Sequence, residues 1–168
     1  TQASEYLTKF SKLVRMILQN SQASLITLEN ELESLELYLE LEALRFEGSF
    51  NYSIHIENGI DQNDNKVPTL LIQPFVENAI LHGLKNREDN EGLLQIEIKK
   101  STDKIEYTIK DNGIGRKAAG MIAQNKEASY GMQMSNDRIK LFNKEEKPSV
   151  QINDLYIDNM PAGTEVKV

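Results

Sequence analysis

The spacing of apolar residues changes once along the chain, near residue 48, and the change separates two kinds of structure. Before it, Tyr6, Leu7, Phe10, Leu13, Val14, Ile17 and Leu18 recur at helical intervals, as do Leu25, Leu28, Leu32, Leu35, Leu39, Leu41, Leu44 and Phe46. The polar run Gln19-Asn20-Ser21-Gln22 separates the two series, so residues 1–47 predict an amphipathic helical hairpin. Glu29, Glu31, Glu33, Glu36, Glu40, Glu42 and Glu47 fill the other faces of the second helix and read as a solvated surface rather than a metal site. A hairpin alone cannot bury both apolar stripes. It needs a second copy or a preceding segment to complete a four-helix bundle.

After residue 48 the period becomes two. Phe50, Tyr52, Ile54 and Ile56 alternate with polar residues, then Asn58-Gly59 and Asp61 to Lys66 predict a turn and loop. Pro68 is expected to open a helix reaching about Leu84, with Pro74 as a kink or a late first turn. Leu94, Ile96 and Ile98, then Ile105, Tyr107 and Ile109, predict a hairpin turning at Ser101 to Asp103 and ending at Asp111. Residues 112–131 read as a mobile loop with a short helix and Met134 to Phe142 as a helix. Val150 to Ile157 and Thr164 to Val168 read as strands. The fold class expected for residues 48–168 is α+β, a two-layer sandwich of helices on a mixed, mostly antiparallel sheet.

Charge and composition narrow the function. With 19 basic and 26 acidic residues the net charge is −7, which argues against a nucleic-acid partner and against docking on anionic lipid. No cysteine is present, which removes disulfides, thiolate metal sites and cysteine nucleophiles and fits a reducing compartment. The longest apolar run, Leu70 to Leu84, is interrupted by Gln73, Glu77 and Asn78 and does not predict a membrane span. The chain opens at Thr1 without Met or a signal peptide and reads as an excised piece of a longer protein.

Two polar clusters stand against this scaffold. Glu77-Asn78 sits inside an apolar helix and is followed by His82 and Gly83. Such groups need partners if buried, and their oxygens suit Mg²⁺, which completes its shell with phosphate and water; otherwise they lie on the helix's exposed side. Asp111-Asn112-Gly113-Ile114-Gly115 follows a strand directly. Asn-Gly there is either a hairpin turn or a glycine-hinged loop that lets backbone approach a ligand, with Asp111 placed to accept from an exocyclic amine. Gly131 ahead of a helix would present N–H groups to phosphate, and Gly163-Thr164 enters the last strand.

In this order, Asn78, Asp111-x-Gly113-x-Gly115, Gly131 and Gly163-Thr164 resemble the nucleotide-binding (Bergerat) fold of the GHKL ATPases. Leu71-Ile72-Gln73-Pro74-Phe75-Val76-Glu77-Asn78-Ala79-Ile80-Leu81-His82-Gly83, with Tyr38 to Phe46 upstream, resembles the LytS-type sensor histidine kinases over nearly the whole chain. The resemblance implies ATP and Mg²⁺ as cofactors. Asn78 would ligate the metal, with Glu77 beside it as a second contact or a group positioning water. Asp111 would read the adenine amino group, with Thr164 assisting through water. Gly113 and Gly115 would hinge a lid over Arg116 to Tyr130, and Gly131 would meet the phosphates. Asn136 and Arg138 match a polar pair in the following helix, and His82 matches a position near the nucleotide.

The departures from the family are informative too. Pro74 stands where many histidine kinases carry a second Asn, and Leu81 where a basic residue often meets phosphate, leaving Lys85, Arg116, Lys117 or Lys126 to replace it. Gln133-Met134 occupies a stretch that is usually Gly-Leu. The two histidines are His55, on a strand, and His82, in the nucleotide region; neither resembles a phosphoacceptor, which is expected upstream of Thr1. The implied protein is a bacterial inner-membrane sensor kinase of which this is a cytoplasmic part. It would be a homodimer through the helical region and would pass phosphate to a response regulator, of LytTR type. The membrane would be met only through segments absent here. The alternative is a degenerate nucleotide-binding module without phosphotransfer.

Overall fold

The computed structural model describes residues 1–102, 104–116 and 150–168. Two compact units are found, Thr1–Gly48 with Asp61–Leu70, and Ser49–Ile60 with Leu71–Val168. The segment Asp61–Leu70, a loop and helix start on the sequence pattern, thus clusters with the helices rather than with the sheet.

In the helical unit, α1 (Gln2–Asn20) and α2 (Leu28–Arg45) each start behind a threonine. The Thr27 hydroxyl accepts from the Asn30 N–H at 3.2 Å, satisfying one of the free donors of the first turn. Leu25 does not begin α2. Instead β1 (Leu25–Thr27) pairs antiparallel with β3 (Lys66–Pro68), so Pro68 closes a strand and the expected helix starts later. The α1 series splits into two faces: Leu13, with Tyr6, Met16 and Ile17, packs on Leu37, Tyr38 and Leu41 of α2. Leu7, Phe10, Val14 and Leu18 remain 62, 48, 39 and 62 % exposed.

The acidic residues of α2 do not all face solvent. Glu31 and Glu42 are buried, each with a partner for its carboxylate: the Leu70 N–H donates to Glu31 Oε2 at 3.1 Å, and Arg45 Nη1 lies 3.4 Å from Glu42 Oε1. Burial of a carboxylate is tolerated where such donors replace water.

The sheet unit has five strands in the order β2-β4-β5-β7-β6. These are β2 (Phe50–Ile56), β4 (Gly92–Ser101), β5 (Lys104–Asp111), β6 (Gln151–Ile157) and β7 (Met160–Lys167). Only β2 and β4 are parallel, and a parallel pair requires a long crossover. Within it lies α3 (Gln73–Asn78), continued by a π-helical turn (Ala79–Gly83) and a 3₁₀ turn (Leu84–Asn86). Pro74 lies in the first turn of α3, where its missing N–H would have had no helical partner. Phe75, Val76, Ala79, Ile80 and Leu84 are buried on the helical side; Leu94, Ile96, Ile98, Tyr107, Ile109 and Val166 form the buried face of the sheet. Each such side chain contributes roughly 1.5–3 kcal/mol by leaving water.

The architecture is therefore the α+β one expected, a mixed, mostly antiparallel sheet with helices and a helical hairpin ahead of it. Gly131, Gln133, Asn136, Arg138, Lys117, Lys126, most of the expected lid and the expected helix from Met134 to Phe142 lie outside the described residues.

Candidate functional site

Alternation along β5 puts Tyr107, Ile109 and Asp111 on one face, and all three are buried. Asp111 continues an apolar series with a carboxylate that is 5 % exposed. Its Oδ1 accepts from the Gly113 N–H at 2.9 Å, and the backbone of Thr164, its neighbour in the β5–β7 ladder, donates as well. Burial outweighs both donors and pushes the carboxyl up from 3.8 to about 6. Thr164 is itself buried.

The close surroundings of Asp111 are built from glycine. A Cβ on Gly163, which has φ +130°, would stand 1.9 Å from the Asp111 carbonyl oxygen, and one on Gly113 would stand 2.4 Å from the Gly83 backbone. A Cβ on Gly83 would meet Asp111 Oδ1 at 2.7 Å. Three chain segments far apart in sequence thus pack backbone to backbone around one carboxylate, which only residues without a Cβ permit.

Of the two readings of Asn112-Gly113, the structure has the loop and not the hairpin. Asn112 extends the pairing with β4 through its side chain: its Oδ1 accepts from the Leu93 N–H at 2.7 Å and its Nδ2 donates to the Glu91 carbonyl at 3.0 Å. Arg87 Nη1 donates to the Asn112 carbonyl and the same guanidinium pairs with Asp89, whose carboxyl it lowers to about 2. Arg87, Asn112 and Gly83 are contributors that the sequence pattern did not single out as site residues. A glycine inside a helical pattern was the one available signal for Gly83.

On α3, Glu77 and Asn78 are half-buried, while their neighbours Phe75, Val76, Ala79 and Ile80 are buried. Gln73 Nε2 donates to Glu77 Oε1 at 3.1 Å, one helical turn on. His82, also half-buried, lies in the π turn, and its carbonyl accepts from Asn86 Nδ2 at 3.2 Å. Gly115 has φ +80°, as a hinge residue would. Arg116, one of the cations expected to replace a phosphate contact at Leu81, is instead forked onto Asp154 of β6 at 2.7 and 2.9 Å. Lys85 is exposed at the 3₁₀ turn. Among the described residues no group of three or more His, Cys, Asp or Glu could hold a metal by itself. The hard oxygen donor at the site is the amide of Asn78, which suits an ion that arrives with its own phosphate ligands.

The described fold has close counterparts among solved structures. The histidine kinase domain of the Erythrobacter litoralis EL346 blue-light activated histidine kinase superposes with a TM-score of 0.60 at 13% identity, covering 98% of this chain and 78% of that one. The catalytic domain of histidine kinase ThkA gives 0.53 at 11% identity, covering 86% and 92%. The histidine kinase family model matches residues 1–50. The Staphylococcus aureus protein "Sensor histidine kinase/phosphatase LytS", in strains Mu50 and N315 among others, is 33% identical over 144 residues, 83% of this chain. The chain is a relative of the LytS-type sensor histidine kinases. It spans about a quarter of the length of those relatives, 24%. For a LytS-type chain, then, the fold is the one found in histidine kinase catalytic domains. The sequence likeness extends over both the helical hairpin and the sheet.

Proposed function

We propose that this chain is the ATP-binding catalytic part of a two-component sensor histidine kinase, with part of its dimerisation region. The observation that carries the reading is Asp111, a buried carboxylate at an inward strand end, walled by glycines and titrating near neutral pH. Such a group accepts a hydrogen bond from an exocyclic amine in a cleft too tight for side chains, which is what adenine requires.

Bound MgATP would supply the phosphoryl group. Asn78 would hold Mg²⁺ through its amide oxygen, with Glu77, steadied by Gln73, orienting water beside it. Gly113 and Gly115 would let the following segment fold over the nucleotide, and Gly131, Asn136 and Arg138 would complete the phosphate side. Thr164 and His82 would line the base and the ribose-phosphate approach. The residues would act by orientation and charge neutralisation rather than covalent chemistry. The phosphoacceptor would be a histidine upstream of Thr1, and the phosphoryl group would pass on to a response regulator, of LytTR type. The exposed stripe Leu7, Phe10, Val14 and Leu18 would pair with a second copy, giving the homodimer. No described helix is long and apolar enough to cross a membrane, and membrane attachment would come from other segments.

The test is calorimetric titration of a non-hydrolysable MgATP analogue into this chain, with EDTA and Asp111→Asn as controls. Mg²⁺-dependent binding lost in Asp111→Asn is the expected result. Absence of binding at millimolar analogue sinks the reading. The second reading, a module that holds nucleotide without transfer, is favoured by the commitment of Arg116 to Asp154, which leaves fewer cations for phosphate. Phosphorylation from labelled ATP of a longer chain carrying the upstream helix would exclude it.

A further inference from the structure

The segment Asp61–Leu70 is tied to the helical hairpin at several points. The Leu28 N–H donates to the Asn65 carbonyl at 2.8 Å and the Glu29 N–H to the Gln62 carbonyl at 3.0 Å. β1 and β3 pair over three residues, Leu25↔Pro68, Ile26↔Val67 and Thr27↔Lys66. The buried Thr69 hydroxyl lies 3.3 and 3.4 Å from the carbonyl oxygens of Asn20 and Ala23. The last tie is the bond from the Leu70 N–H to Glu31 Oε2, a carboxylate on a residue only 3 % exposed. Leu70 has φ +54°, a left-handed conformation that a leucine adopts only when its surroundings impose it. Leu71 begins the sheet unit and Gln73 begins α3.

We infer that Glu31 is a positioning residue for α3, acting through the backbone of Leu70. Its carboxylate holds Leu70 in the left-handed conformation in which the chain leaves the strap, and so sets the direction from which α3, with Glu77 and Asn78, is entered. A buried acceptor is required because the Leu70 N–H points away from the β1–β3 ladder, which ends at Pro68, and a buried donor must be satisfied. The strain at Leu70 and the burial of Glu31 are explained together: each is tolerated because the other is present. The consequence for nucleotide binding rests on α3 being part of the nucleotide site, as proposed above; the structural part does not.

The test is amide hydrogen exchange on the whole chain, read peptide by peptide, with the MgATP analogue titrated in parallel. Glu31→Ala is expected to speed exchange of residues 70–78 by about tenfold and to weaken the analogue by about three- to tenfold, through local opening. Glu31→Gln keeps an oxygen acceptor and is expected to restore both to within about twofold of the parent. Exchange in α1 stays unchanged, because its packing on Leu37 and Leu41 does not pass through Leu70. Unchanged exchange at 70–78 in Glu31→Ala overturns the inference. So does acceleration spread evenly over α1 and α2, which would mark a general loosening. If Glu31→Ala does not fold, Leu70→Gly takes its place: it keeps the N–H, frees φ and is expected to speed exchange at 71–78 alone, and no change there overturns the inference. A parent chain that binds no analogue refutes the nucleotide reading only, since the exchange data still decide whether Glu31 holds α3.

Discussion

Gly83, in the π turn that follows α3, packs so closely on Asp111 that a Cβ there would lie 2.7 Å from the carboxylate oxygen Oδ1. The same residue offers its backbone to Gly113, where a Cβ would lie 2.4 Å away. Gly83 therefore sets how far Asp111 and the turn behind it can reach toward α3.

Gly83→Ala is expected to displace Asp111 or the turn and to destabilise the chain by about 1–3 kcal/mol, the usual range for overpacking a tight site. Analogue affinity should fall by more than stability alone explains, because the carboxylate moves. Chemical denaturation together with calorimetry checks both; wild-type affinity in the variant would show that Asp111 has slack that the geometry denies.

Asp111 also gives the chain a signed pH dependence. Its folded-state pKa, about 6, lies above the ordinary 3.8, so the folded state binds the extra proton between these values. Its contribution to stability is fully present below about pH 4 and is lost as pH rises through about 6, an effect on the order of a few kcal/mol. Analogue binding should run the other way and weaken as pH falls through 6, since the ionised form is the acceptor. Asp111→Asn should flatten the stability profile in that window, match or exceed wild-type stability at pH 7, and bind no analogue. Thermal melts from pH 4 to 8 decide the matter: a profile for Asp111→Asn parallel to wild type would be incompatible with the shift.

The Arg116–Asp154 pair joins the residue after Gly115 to β6 by two hydrogen bonds. Its members are 49 and 28 % exposed, so its worth is that of a partly screened ion pair, about 0.5–1 kcal/mol. A double-mutant cycle with Arg116→Ala and Asp154→Ala should return that coupling and shrink at high salt. If Arg116 instead serves phosphate, Asp154→Ala would leave affinity intact and Arg116→Ala would reduce it tenfold or more, about 1.4 kcal/mol.

On α1, replacing Phe10 and Leu18 by serine should dissociate the proposed dimer while leaving the monomer fold nearly unchanged, within about 0.5 kcal/mol, because both side chains are exposed. Replacing Leu13, buried against Leu37 and Leu41, by alanine should cost about 2–5 kcal/mol. Sedimentation equilibrium and melting temperature separate the two. A monomeric parent chain, or a dimer indifferent to Phe10 and Leu18, would require a different occupant for the stripe.

What local spacing determined is substantial. A period of 3.6 residues before residue 48 and of two after it suffices for the hairpin and for β2, β4 and β5, because each is long enough to repeat its pattern. The same alternation already placed Asp111 inward, beyond Tyr107 and Ile109, and so marked the most consequential residue of the site. What the sequence left open was decided by partners distant along the chain. β1 and β3 have three residues each and carry no period; they exist because each satisfies the other's backbone some forty residues away, and Pro68 closes a strand for that reason. Glu31 was indistinguishable from the solvated glutamates of α2 until the Leu70 N–H was brought to it. The packing of Gly83, Gly113 and Gly163 around Asp111 likewise follows from no local rule, since a glycine's lack of a side chain matters only once another backbone has been brought within contact of it.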